Sequence, residues 1–286
     1  MFNTNMMQIS EQGLHEIYQR LEETKHIEFK DLEKAIAHKQ ASSEELNSGN
    51  SDILQISGDR AMLKIDGMLM YNPDLFQRFL MNAIDTADYI NALQALQANE
   101  DIKKVLVVWN SPGGSVQKLH VLADAMKQLA DTKPTVSLNV GTMASAAYHA
   151  GSQASRVYVD DYMNKTGSIG TMALAKDTSQ AAKMAGVEVI PIVTGPLKAM
   201  LQPGVEITEE MKEELQKEAN QIQSVFNQNV NRVRPQVDLA DGSRARSGAS
   251  FYAEEAQELG LIDGIASISQ AFKILDQMEQ TQNLGI

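Results

Sequence analysis

The residues Asn110-Ser111-Pro112-Gly113-Gly114-Ser115 hold the most chemical content in this sequence. They come after an apolar, strand-like run over residues 105–109 and precede a helix-like segment over residues 116–129. A Pro-Gly-Gly turn in that setting can leave bare backbone N–H groups in a concave corner, next to a helix N-terminus that favours negative charge. Such a corner suits a developing oxyanion. The same residues also make an ordinary loop, and a nucleophile and a base further along the chain would decide between the two.

Gly141-Thr142-Met143-Ala144-Ser145-Ala146-Ala147-Tyr148 comes after a predicted strand and opens a predicted helix. Ser145 therefore stands at a strand-to-helix corner among small residues, which exposes a hydroxyl and leaves room for a substrate carbonyl. A small-residue helix start packed on a sheet is the plainer reading of the same residues. Thr166-Gly167-Ser168-Ile169-Gly170 is a second tight turn, where Ser168 either bonds inward or caps a loop.

Lys198 stands alone in a weakly charged stretch beside Leu197, Met200 and Leu201. Most lysines are solvated surface charges. A lysine that acts as a base near neutral pH needs its pKa lowered by about 3 units, on the order of 4 kcal/mol, which apolar burial can supply. Histidine is the rival base. His15, His26 and His38 precede residue 52, and His149 lies one helical turn after Ser145, where it projects away from a substrate. His120 completes the five. Asp160-Asp161 has no histidine or carboxylate partners at metal-ligand spacing, and no phosphate-loop or dinucleotide fingerprint occurs, so neither metal nor cofactor is expected.

Alternating strands and helices must position these residues. Strands are predicted over residues 53–56, 61–65, 104–109, 135–138, 156–159 and 187–192. Helices are predicted over 73–99, 116–130, 144–152, 178–185 and 208–233, the last with Thr208 as N-cap and Pro235 as its stop. The alternation predicts an α/β domain with a mostly parallel sheet over residues 52–286. Before it, residues 1–41 show two short helical stripes and residues 42–51 a polar linker, together a helical N-terminal extension over residues 1–51.

With 286 residues and 43% hydrophobic content the chain can bury a sizeable core. A net charge of −12 argues against nucleic acid or an anionic membrane as partner. Cysteine is absent, which rules out disulfides and thiol nucleophiles and fits a reducing, cytoplasmic setting. No run nears the roughly 20 apolar residues of a transmembrane helix, and the first residues lack a signal-peptide pattern.

Taken in order, Asn-Ser-Pro-Gly-Gly-Ser, Met-Ala-Ser-Ala-Ala-Tyr, Thr-Gly-Ser-Ile-Gly and the isolated lysine resemble the signal peptide peptidase A family of serine–lysine peptidases, which includes phage head-maturation proteases. Lys198 lies 53 residues (198 − 145) after Ser145, close to the spacing in the single-domain branch. The segment over residues 247–263 resembles the family's closing segment. The resemblance implies a Clp/crotonase-type fold that assembles into rings. It implies Ser145 as nucleophile, Lys198 as general base, Ser168 orienting the amine, and the N–H groups of Gly114 and Ala146 as the oxyanion hole. Substrates would be signal-peptide-like, unfolded or prohead proteins, and phage capsid or portal proteins the implied partners, with location in the prohead as well as the cytoplasm. Membrane-anchored members carry an N-terminal transmembrane segment, where this sequence has its helical extension. Two alternatives stay open: a catalytically silent, capsid-associated assembly protein of the same fold, and a crotonase-like acyl-CoA enzyme. The latter would use carboxylates, and none lies in residues 141–147 or 111–115.

Overall fold

The computed structural model describes residues 7–9 and 53–284. The helices and linker expected in residues 1–51 lie outside the described residues, apart from residues 7–9. The strands are β1 Met7–Ile9, β2 Leu54–Ser57, β3 Arg60–Asp66, β4 Met68–Met70, β5 Ala83–Asp85, β6 Lys104–Ser111, β7 Gly113–Ser115, β8 Thr135–Ala144, β9 Arg156–Val159, β10 Lys165–Gly167, β11 Ser250–Phe251 and β12 Gly264–Ile265. The helices are α1 Leu75–Leu80, α2 Thr86–Ala98, α3 Leu119–Thr132, α4 Ala146–Gly151, α5 Ser179–Met184, α6 Glu209–Val233, α7 Ala253–Glu258 and α8 Ile268–Asn283.

The main sheet has the strand order β11-β10-β8-β6-β3-β2. β3, β6, β8 and β10 are parallel, and antiparallel β2 and β11 close the two ends. β8 is the long central strand. Its first half pairs with β9 and its last residues pair with β10, so two short strands succeed one another along one edge of it. Helices cover both faces, as a parallel sheet requires. Leu122, Met126 and Leu129 of α3 pack with Val105, Val107 and Trp109 on one face. On the other, Ala271 and Leu275 of α8 lie against Leu106, Val108, Val136 and Leu138. Full burial of a leucine such as Leu275 contributes about 2 kcal/mol. The expected α/β class with a mostly parallel sheet is the architecture of the molecule.

Three predicted elements differ. The helix expected over residues 73–99 is split into α1, β5 and α2. Asn82 leaves α1 with φ 48°, and residues 83–85 pair with β4 instead. Asp85 then caps α2 by accepting from the Ala87 N–H at 3.0 Å. The glycine turn at 113–115 is a strand, and the next helix begins at Leu119, after Lys118 at φ 59°. Its N-terminus is therefore set back from the glycines. The strand expected over 187–192 does not form. Among the described residues no strand pairs with this segment, and Pro191 lacks the N–H a strand interior uses.

Gly113–Ser115 belongs to a second, smaller sheet of order β1-β7-β4-β5. It is parallel to β4 through Leu69↔Gly114, and antiparallel to β1 with Gln8 opposite Gly114. Gly114 is obligatory there: a Cβ on it would stand 1.9 Å from the Leu69 carbonyl oxygen.

Candidate active site

β8 runs straight into Ser145, and α4 starts at the next residue. Ser145 has φ 54° and ψ −117°, a conformation that costs a non-glycine residue about 1–3 kcal/mol. Several contacts hold it there. Its N–H donates to the Gly167 carbonyl at 2.7 Å, and its own carbonyl accepts from the His149 N–H at 2.8 Å. Behind it, Gly151 lets α4 approach closely; a Cβ there would meet the Met143 sulfur at 2.6 Å and the Trp109 ring at 3.2 Å. Ser145 is 1% exposed, and its Oγ has no hydrogen-bond partner among the described residues. A buried hydroxyl left unbonded costs about 1–3 kcal/mol. The corner thus holds a strained backbone and an unpaired hydroxyl in one residue.

Ser168 lies beside it. In the parallel pairing of β10 with β8, Gly167 stands opposite Ala144, so Ser168 comes next at the level of Ser145. Ser168 is buried and also has positive φ, 52°, with its N–H donating to the Ala249 carbonyl at 2.7 Å. Asn139 supports this edge. Its buried amide donates to the Lys165 carbonyl at 3.0 Å and the Thr166 hydroxyl at 2.9 Å, while its oxygen accepts from the Gly141 N–H at 3.0 Å. Asn139 is absent from the candidates that the sequence yields, although a lone amide inside an apolar strand run is an available signal.

Ala146 opens α4, where a backbone N–H has no acceptor within its own helix. Gly113–Ser115 is buried and comes directly after β6; the Gly113 N–H donates to Ser111 Oγ at 3.3 Å. Lys198 sits in a 3-10 turn, Pro196–Ala199, and its side chain is exposed in the single chain, with Leu197, Met200 and Leu201 half-buried. The apolar burial a lysine base requires is not provided within the described residues of one chain. The structure brings Ser145 and Ser168 together and leaves Lys198 at the surface.

His149 is a structural residue. Its ring is buried, stacks on Phe226 at 4.5 Å, and accepts from the Asn229 amide through Nε2 at 2.7 Å. Burial, reinforced by the charges of His120 and Arg232, pulls its pKa down to about 3, so the ring is neutral. Asp160 and Asp161 bond to Asn164 and to the Met163 N–H within their own turn. Among the described residues no group of histidines and carboxylates could hold a metal ion.

Fold and corner together define an α/β protein that presents a buried serine where its central strand meets a helix. A model of peptidase family S49 matches residues 127–283, more than half of the chain, and the chain belongs to that family. "Putative protease MJ0651" of Methanocaldococcus jannaschii is 31% identical over 199 residues, covering 70% of this chain and 63% of that protein. The capsid assembly protease C of Escherichia phage lambda is 26% identical, over 77% of this chain and 46% of its own length. The head-tail preconnector protein GP5 of Enterobacteria phage P21 is 27% identical, over 65% and 36% respectively. The chain thus spans from under a third to just under two thirds of the length of the curated relatives it matches. Among solved structures, an enoyl-CoA hydratase from Shewanella pealeana is similar at 13% identity and a TM-score of 0.47, covering 84% of this chain and 77% of that one. That likeness is too slight to bear on chemistry. Among the described residues no helix is long and apolar enough to cross a membrane.

Proposed function

We propose that the chain is a serine endopeptidase working through a Ser145–Lys198 dyad and an acyl-enzyme. The observation that carries this reading is the buried, unpartnered Oγ of Ser145 on a strained strand-to-helix corner. An enzyme stores strain and an unmet hydrogen bond where a substrate will use them. In the proposed reaction Ser145 Oγ attacks the scissile carbonyl carbon and its proton passes to the neutral Lys198 amine. The oxyanion accepts from the backbone N–H groups of Gly114 and Ala146. Collapse of the tetrahedral adduct breaks the C–N bond, and the leaving amine takes the proton back from Lys198. Water then attacks the ester with Lys198 again as base, releasing the acid and restoring Ser145. Ser168 orients the amine.

The amine has to be desolvated for this, and assembly of several copies would do it. Met184, Val187, Ile190, Ile192 and Val193 are exposed just before the lysine turn, Ile192 by 97%. An exposed apolar run of that kind marks an interaction surface. We assign it to contact between copies in a ring-shaped homo-oligomer, which would bury the segment that carries Lys198. Peptides or unfolded proteins are the proposed substrates. The two phage relatives favour capsid or portal proteins among them, and action within a prohead or the cytoplasm.

The exposure of Lys198 in one chain is the observation that favours a second reading, a catalytically silent assembly protein. One experiment separates the two. Peptide hydrolysis is measured for the native chain, Ser145→Ala and Lys198→Ala, alongside labelling by a serine-directed fluorophosphonate. The dyad predicts loss of hydrolysis in both variants, by about 10³-fold or more, with labelling lost in Ser145→Ala. Unchanged hydrolysis in either variant sinks the dyad, and a native chain that neither hydrolyses peptides nor is labelled supports the silent reading.

A further inference from the structure

The small sheet contains a contact that the proposed chemistry does not use. β7, Gly113–Ser115, has two edges. One is filled by β4, in parallel, and the other by Met7–Ile9, in antiparallel, with Gln8 opposite Gly114. Met7–Ile9 is the terminal strand of that sheet, so it occupies the side of β7 that would otherwise be a free backbone edge. More than a hundred residues separate it in sequence from the strand it covers.

An open edge of this kind is a template for any extended chain, because the ladder is made by main-chain groups. Two of the three residues in β7 are glycines, so side chains on β7 do little to select the occupant's sequence. The residue at the centre of the pairing is also the proposed oxyanion donor. An extended peptide seated along β7 brings its backbone to Gly114, and two segments cannot fill one edge together.

We infer that Met7–Ile9 is an intramolecular competitor of substrate: the chain's N-terminal segment docks on the peptide-binding edge Gly113–Ser115 and must leave before a substrate strand can pair there. This rests on the reading of Ser145 and Gly114 as the reacting site. A tethered segment acts at an effective concentration of order mM, so even a three-residue ladder can compete with peptides supplied in the micromolar range. The predicted signature is a raised KM with little change in kcat.

The test uses the full chain carrying Gln8→Pro together with Ile9→Pro. Successive N–H groups of a strand point to opposite sides, so the pair removes a donor whichever one faces β7. Three measurements are made: amide hydrogen exchange over residues 113–115, steady-state hydrolysis of a short peptide, and binding of a synthetic peptide of residues 4–13. The expected result is faster exchange at 113–115 and a kcat/KM about three- to tenfold higher through KM. The synthetic peptide should bind the double variant, restore slow exchange and inhibit competitively. Unchanged exchange overturns the contact, and faster exchange with unchanged KM overturns the competition. If no form hydrolyses any peptide, the peptidase reading fails. The docking is then decided by the binding arm in the same variant combined with Ser145→Ala, where a peptide that does not slow exchange overturns it.

Discussion

Ser145 and Ser168 leave two paired parallel strands at the same level, and both do so with left-handed backbone, φ 54° and 52°. The link is direct: the Ser145 N–H donates to the carbonyl of Gly167, the residue before Ser168. Each serine is buried, and neither conformation would persist in an isolated turn. The pairing of β8 with β10 places both. Gly167 is part of the device, since at φ 112° its Cα lies under the Phe251 ring, where a Cβ would come within 3.1 Å.

This pairing sets a stability prediction for the nucleophile. Ser145→Gly should stabilise the fold by about 1–2 kcal/mol, because glycine accepts the positive φ and removes the unbonded hydroxyl. Ser145→Ala removes only the hydroxyl and should gain less. Both should lose hydrolysis. Urea midpoints check the first part, and a loss of stability in Ser145→Gly would mean that the hydroxyl has a bonding role in the resting protein.

Gly114→Ala should behave differently. Its Cβ would overlap the Leu69 carbonyl, so β4 and β7 must separate. We expect destabilisation of about 2 kcal/mol or more from the forced backbone shift, together with at least a hundredfold loss in kcat from displacing a proposed oxyanion donor. Ser115→Ala, on the same strand, is the control for the strand alone. Near-native kcat in a folded Gly114→Ala protein would remove Gly114 from the site.

How far the sequence carries can be read from these same residues. Ser145 is legible at a strand-to-helix corner because the apolar run before it and the small residues after it change period there. The left-handed turn at Ser168 is legible through its flanking glycines. The strand character of Gly113–Ser115 is not, since glycine has low strand propensity and only the neighbouring β4 and β1 backbones make that segment extended. The Val187–Ile192 region fails in the opposite sense. Its β-branched residues have strand propensity, but a strand also needs a partner, and among the described residues none pairs with this segment, which Pro191 interrupts. The exposure of Lys198 is likewise set by its surroundings rather than by local sequence.

The exposed apolar run gives a third prediction. Ile190→Asp with Ile192→Asp should leave the far-UV spectrum and urea midpoint of the single chain nearly unchanged, because both side chains are already in solvent. It should lower the mass seen by light scattering and depress hydrolysis. An unaltered mass would separate this surface from assembly.

His149 supplies the pH dependence of the fold itself. Its pKa falls from 6.5 to about 3 in the folded chain, first through burial and then through the charges of His120 and Arg232. The unfolded chain takes up this proton below about pH 6.5 while the folded chain does not until about pH 3, so the unfolded state gains protons across that window. Stability from the neutral ring is therefore complete above pH 6.5 and is lost as the pH falls, by up to about 1.4 kcal/mol per unit. Around the ring stand Phe226, which is apolar and stacked on it, and Asn229, whose amide fits only an unprotonated Nε2. His149→Phe preserves a ring against Phe226 and leaves the Asn229 amide without its acceptor. It should be less stable than the native chain at pH 7.5, by about 1–2 kcal/mol, yet lose less stability between pH 6.5 and pH 4.5. Urea midpoints at pH 7.5, 6.5, 5.5 and 4.5 for both proteins give the slopes directly, and equal slopes would show that the acid sensitivity of this fold lies elsewhere.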